Sequence, residues 1–157
     1  MIAITGATGQ LGRLVIQNLL KTVPASQIVA AVRSPEKAAD LAALGLQVRQ
    51  ADYAQPATLE AAFQGVDKLL LISSSEVGQR APQHAAVIAA AQKAGVKLLA
   101  YTSLLRADTS PLGLAAEHKE TEAMLSASGL PFVLLRNGWD TENYTGSGGA
   151  AVQYGAV

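Results

Sequence analysis

The sequence contains no cysteine. That excludes disulfides, thiolate zinc sites and iron–sulfur clusters. Its only two histidines, His84 and His118, stand too far apart in sequence to suggest a histidine-rich metal site. Aromatic residues make up 4% of the 157 positions, so a one-domain core must be built mainly from Ala, Leu, Val and Ile. Neither charge sign is in excess: twelve Lys and Arg balance twelve Asp and Glu. This argues against a nucleic acid or a membrane surface held by bulk charge. No apolar run approaches the ~20 residues of a membrane span, and the N-terminus lacks the basic stretch of a signal peptide. These absences lead to the expectation of a soluble, cytoplasmic protein with a small-molecule partner, and they leave a homo-oligomer open.

What is present begins at the first residue. Met1-Ile2-Ala3-Ile4-Thr5 reads as a short buried strand, followed by glycines at 6, 9 and 12. Leu11, Leu14, Val15, Leu19 and Leu20 then recur at helical spacing. Strand, glycine turn and helix are the setting of a phosphate-binding turn. Gly6 permits an unusual turn, Gly9 presents no Cβ to a pyrophosphate, and Gly12 lets the helix lie close. Free N–H groups at the helix start would hold the phosphates.

A strand–helix rhythm follows. Ile28–Val32, Leu46–Val48, Lys68–Ile72, Val96–Tyr101 and Phe132–Leu135 read as strands, with Ala- and Leu-rich helices between them. Pro35, Pro56 and Pro82 fall where first helical turns are expected, with Ser34 as an N-cap. Gly45, Gly65, Gly95 and Gly129 each fall where a helix should end. Apolar strands such as Leu69-Leu70-Leu71-Ile72 imply a sheet covered on both faces. The expected fold is α/β: a Rossmann-type doubly wound parallel sheet in order 3-2-1-4-5-6, with helices on both faces and the ligand crevice at the strands' carboxyl ends. Residues 1–144 form the NAD(P)-binding domain in this reading. Residues 145–157, rich in small side chains, are either a flexible tail or the start of a substrate lobe.

The end of the second strand selects the nucleotide. NAD-binding folds place an acid there, ~20 residues past the glycines, to meet the ribose 2′-hydroxyl. Here Ile28–Val32 contains no acid and Arg33 follows, suited to a 2′-phosphate. Arg13 and Lys37 add positive potential in this reading. Asp52 falls where such folds meet the adenine, and Ser73, Ser74 and Ser75 would turn hydroxyls and N–H groups towards ribose and pyrophosphate. Asn137, Gly138 and Trp139 follow the sixth strand and would open towards the nicotinamide, although core packing equally accounts for a lone tryptophan.

The usual short-chain dehydrogenase apparatus, a Ser near the fifth strand and Tyr-x-x-x-Lys on the next helix, is incomplete. Tyr101-Thr102-Ser103 supplies a hydroxyl, but residues 113–122 contain no tyrosine. His118, with Glu122 one turn on, occupies that place. His118 is therefore the candidate catalytic proton donor; a packed helical histidine is the alternative.

The segments TGATGQLG, VR at 32–33, ADY at 51–53, LLLISSSEVGQRAPQH at 69–84, YTSLL at 101–105, EHKETE at 117–122 and LRNGW at 135–139 together resemble the NmrA-like atypical short-chain dehydrogenases. More narrowly they resemble the bacterial NAD(P)H:quinone oxidoreductases, close to triphenylmethane dye reductases. The resemblance implies NADPH binding by Gly6, Ala7, Thr8, Gly9, Gln10 and Leu11, by Arg33 and Ser73–Ser75, and by Asn137 through Trp139 to Glu142. It implies hydride delivery to a quinone, which becomes a stabilised hydroquinone anion and so needs little acid catalysis. The alternative within the same resemblance is a regulator that senses NADP(H) without turnover. Family members are longer and close a C-terminal lobe over the substrate. The expectation is therefore that this lobe is missing here, with NADPH binding kept and quinone reduction slowed.

Overall fold

The computed structural model describes residues 1–76 and 78–155. Six parallel strands form one sheet: β1 (Ile2–Thr5), β2 (Ile28–Val32), β3 (Gln47–Gln50), β4 (Lys68–Leu71), β5 (Leu98–Leu104) and β6 (Phe132–Asn137). Their order is β3-β2-β1-β4-β5-β6. This is the expected doubly wound topology, with the chain reversing its direction of travel at β1. The ends of β2 and β4 therefore lie on either side of the turn that follows β1.

The helices are α1 (Gln10–Leu19), α2 (Ala39–Ala43), α3 (Pro56–Ala62), α4 (Arg80–Ala94), α5 (Ala115–Ala127), α6 (Glu142–Thr145) and α7 (Gly148–Tyr154). Side chains alternate across a strand, and β2 shows the consequence. Ile28, Ala30 and Val32 pack with Ile4, Ile16 and Leu41 on one face, under α1 and α2. Val29 and Ala31 pack on the other with Leu59, Phe63, Leu71, Val87 and Leu125, under α3, α4 and α5. All five β2 residues are buried, the signature of a parallel sheet enclosed on both sides. No helix among the described residues is long and apolar enough to cross a membrane.

Several local expectations need correction. β5 runs on to Leu104 because Ser103 and Leu104 pair with Arg136 and Asn137 of β6; both strands are longer than their apolar cores. β3 covers Gln47–Gln50 and not Leu46–Val48, since its register with β2 pairs Arg49 and Gln50 too. Ser34 precedes a 3₁₀ turn (Pro35–Ala38), and its side chain makes no capping bond. The Lys37 N–H instead reaches the Ser34 carbonyl at 3.1 Å, the short i+3 closure of that turn. Pro35 and Pro56 do stand in first turns. Gly45, Gly65, Gly95 and Gly129 all take positive φ. The tail contains the two short helices α6 and α7, neither with a buried residue.

Candidate functional site

The site starts from a backbone turn. Gly6 sits at φ 59°, and its carbonyl accepts the Gly9 N–H at 3.0 Å. The first helical bond of α1 runs from the Arg13 N–H to the Gly9 carbonyl. The N–H groups of Gln10, Leu11 and Gly12 lie ahead of any intrahelical acceptor, and no side chain caps them. A Cβ on Gly12 would stand 2.7 Å from the Ala7 Cα, and one on Gly9 would stand 3.3 Å from the Gly6 carbonyl oxygen. The glycines thus let the turn fold against the helix with its donors facing outward.

Above this turn opens a cleft of about 460 Å³, within the usual range for ligand sites. Gly6, Thr8 and Gly9 line it from β1, and Arg33, Ser34 and Lys37 from beyond β2. Asp52 and Tyr53 come from beyond β3, Ser73 through Glu76 from beyond β4, and Gln83 from α4. The sequence reading is assembled here for Gly6, Thr8, Gly9, Arg33, Asp52 and Ser73–Ser75. Ala7 is fully buried beneath the turn, and Gln10 and Leu11 open α1.

Other candidates lie elsewhere. Asn137 ends β6, two strands away from β4, and Asn137, Gly138, Trp139 and Glu142 do not line the cleft. Trp139 is 58% exposed, so core packing does not explain it. Arg13 does not lend its charge to the cleft as expected. Its guanidinium pairs with Asp40 and donates to the Thr8 carbonyl, stiffening the turn.

The serine loop is also built differently from expectation. Its first two N–H groups are not free. The Ser73 N–H donates to Thr102 Oγ1 at 2.8 Å, and the Ser74 N–H donates to His84 Nε2 at 2.9 Å. Arg80 Nε donates to the Ser74 carbonyl at 2.6 Å, so α4 holds both backbone groups of Ser74. The loop can offer a ligand its hydroxyls, but not those two N–H groups. Asp52 spends its carboxylate in its own turn, accepting from the Ala54 N–H and the Gln55 amide.

Beneath the cleft is a buried polar layer. His84 is fully buried and accepts at Nε2, so its proton sits on Nδ1, which donates to Thr121 Oγ1 at 3.0 Å. Burial, reinforced by the Arg80 charge, pushes the His84 pKa down to about 3. Arg80, itself buried, pairs with Glu117 at 2.8 Å. The Tyr101 hydroxyl meets His118 Nδ1 at 2.6 Å. Burial pushes the Tyr101 phenol up to about 12, so it keeps its proton and meets the His118 ring as a neutral hydroxyl.

The proposed pairing of His118 with Glu122 is not formed. Glu122 accepts from the Ser103 hydroxyl at 2.6 Å and from Arg136 at 2.7 and 3.0 Å. Ser103 is buried with its proton committed. Burial and then the Arg80 charge lower the His118 pKa. His118 is therefore neutral near pH 7 and not a charged acid there. Arg80, His84, Glu76 and Gln83 were not assigned roles from sequence. Only LLLISSSEVGQRAPQH, which holds all four, signalled them.

A parallel 3-2-1-4-5-6 sheet with a glycine turn feeding α1 beneath a cleft at its carboxyl edge defines a dinucleotide-binding Rossmann domain. More particularly, the chain belongs to the NAD(P)H-binding family, whose model matches residues 6–156. It is 70% identical over 155 residues to quinone oxidoreductase 2 of Escherichia coli K12, covering 99% of this chain and 54% of that protein. It superposes with TM-score 0.94 on the E. coli NADPH-dependent quinone oxidoreductase complexed with NADPH, at 70% identity over 99% of this chain and 55% of the other. The triphenylmethane reductase of Citrobacter sp. complexed with NADP(H) gives TM-score 0.94 at 48% identity, covering 100% and 56%. These findings bear out the resemblance read from the motifs. The chain spans about half the length of these relatives.

Proposed function

We propose that the chain is the nucleotide-binding portion of an NADPH-dependent quinone oxidoreductase of the cytoplasm. The observation that carries the reading is Arg33. It lines the cleft at the end of an acid-free β2, over a helix start whose donors have no partner among the described residues. Its identity to the E. coli quinone oxidoreductase supports the choice of substrate class.

In this reading the N–H groups of residues 10–12 and the dipole of α1 hold the pyrophosphate. Arg33 and Lys37 face the 2′-phosphate. Asp52 walls the adenine end, the Ser73–Ser75 hydroxyls face the ribose, and the segment from Asn137 to Glu142 turns towards the nicotinamide. When bound, the dihydronicotinamide supplies the hydride. The protein's part is to orient the nucleotide and the quinone, because a quinone takes hydride into a conjugated ring and makes little demand on an acid. A neutral His118 and an engaged Ser103 agree with that.

Titrating NADPH fluorescence tests binding, and following NADPH oxidation by absorbance with a soluble quinone tests turnover. Saturable binding with slow quinone-dependent oxidation is expected. Binding without any oxidation, even when the chain is joined to the C-terminal half of a relative, would favour the sensing alternative, and absence of binding would remove both.

A further inference from the structure

Two polar side chains in the cleft have no part in the reading above. Glu76 follows β4 and Gln83 lies in the second turn of α4. Glu76 Oε1 accepts from Arg33 Nη1 at 3.0 Å, and Oε2 accepts from Gln83 Nε2 at 2.7 Å. Arg33 and Glu76 leave β2 and β4, which flank β1. The ion pair therefore crosses the cleft above the Gly6–Gly9 turn. Gln83 has committed its amide NH₂ to Glu76, while its Oε1 is buried with no partner among the described residues.

We infer that Glu76 is a resident anion that competes with the ribose 2′-phosphate for Arg33, and so tunes the choice between NADPH and NADH. The inference rests on the proposed NADPH reading. A phosphate monoester and a carboxylate seek the same guanidinium fork, and only one arm of Arg33 holds Glu76. A 2′-phosphate that takes over Arg33 arrives beside the displaced carboxylate and meets like-charge repulsion. A nucleotide with a free 2′-hydroxyl meets none, and its O–H can donate to Glu76. The acid absent from the end of β2 is thus supplied from the loop after β4. The pair is 70% and 49% exposed at its two side chains, so it yields to a ligand without disturbing the fold.

The test is Glu76→Gln, which keeps the shape and the acceptor for Gln83 but removes the charge. Fluorescence titrations of NADPH and NADH are made on wild type and variant at about 20 and 200 mM salt. NADPH binding should tighten about three- to tenfold at low salt, NADH should change by less than about twofold, and the gain should shrink at high salt. In an Arg33→Ala background the gain should shrink, since only the repulsion between carboxylate and phosphate is left to relieve. An unchanged NADPH/NADH ratio, or a gain that persists undiminished without Arg33, overturns the competition while leaving NADPH binding by the wild type in place. Failure of the wild type to bind either nucleotide overturns the underlying reading and this inference with it.

Discussion

In the proposed reading Arg33 is the residue on which the nucleotide preference turns, and its exposure sets the size of the expected effect. A guanidinium in contact with a phosphate makes charge-assisted bonds, but at 70% exposure solvent and salt screen them. Arg33→Ala should therefore weaken NADPH by about 1–2 kcal/mol, roughly five- to thirtyfold, with far less effect on NADH. Equal loss for both nucleotides in a titration would remove Arg33 from the 2′-phosphate. His118 is the second test. It is neutral near pH 7, and its Nδ1 is occupied by Tyr101, so His118→Ala should lower quinone turnover by less than the ~10²-fold typical of a general acid. A larger drop, with loss of the alkaline limb in the pH profile of kcat, would restore it to the chemistry. The place of Arg33 in the cleft was legible in the sequence because it depends on position, at the end of an acid-free strand. His84 was not, because its meaning lies in partners 10 and 37 residues away, the Ser74 N–H and Thr121. Glu76 was hidden likewise, since Arg33 stands 43 residues before it.

At the scale of elements, strands and connecting glycines were legible because a buried parallel strand is an unbroken apolar run and a helix end demands left-handed backbone. What escaped was set by neighbours. β5 extends through Thr102 and Ser103 because β6 pairs with them, and no local preference announces that. α6 escaped because its four residues make a single turn, too short to show a period, and α7 because a run of glycine and alanine has no periodicity to read. Two glycines separate a packing role from a conformational one. Gly95 ends α4 at φ 70° with open space where a Cβ would point. Gly95→Ala should cost about 1–2 kcal/mol in urea unfolding, the penalty of left-handed backbone alone, with NADPH affinity intact. Gly12→Ala drives a Cβ into the Ala7 backbone and the Gly6 carbonyl, which cannot yield without moving the turn. It should cost about 3 kcal/mol or more and abolish NADPH binding as well. A Gly12→Ala protein with wild-type NADPH affinity would show that the turn does not carry the nucleotide.

For the whole molecule, the buried polar layer between the sheet and α4 and α5 makes stability depend on pH. In the folded protein His84 has its pKa pushed from 6.5 to about 3, chiefly by burial; His118 is lowered too, again chiefly by burial. The unfolded chain takes up these protons below its ordinary pKa, and the folded chain does not. Stability from His84 is therefore complete above about pH 6.5 and lost as pH falls towards 3, by about 1.4 kcal/mol for each pH unit within that window. Glu122 acts in the same direction at lower pH. Its pKa is depressed, first by the Arg136 hydrogen bonds, so its contribution is present above its ordinary pKa and fades as the carboxylate protonates. Between pH 7.5 and 5, His84 alone should remove about 2 kcal/mol of unfolding free energy, read as a drop in urea midpoint at constant slope. Within the folded state His84 stays neutral over this range, so the Ser74 N–H keeps its acceptor and NADPH affinity should not fall through His84. His84→Asn keeps a polar side chain at the site without a group that titrates. It should be less stable at pH 7.5, yet lose about 2 kcal/mol less than wild type on going to pH 5. A pH 7.5-to-5 loss in His84→Asn as large as in wild type would place the acid sensitivity in other groups and leave His84 with only its hold on the serine loop.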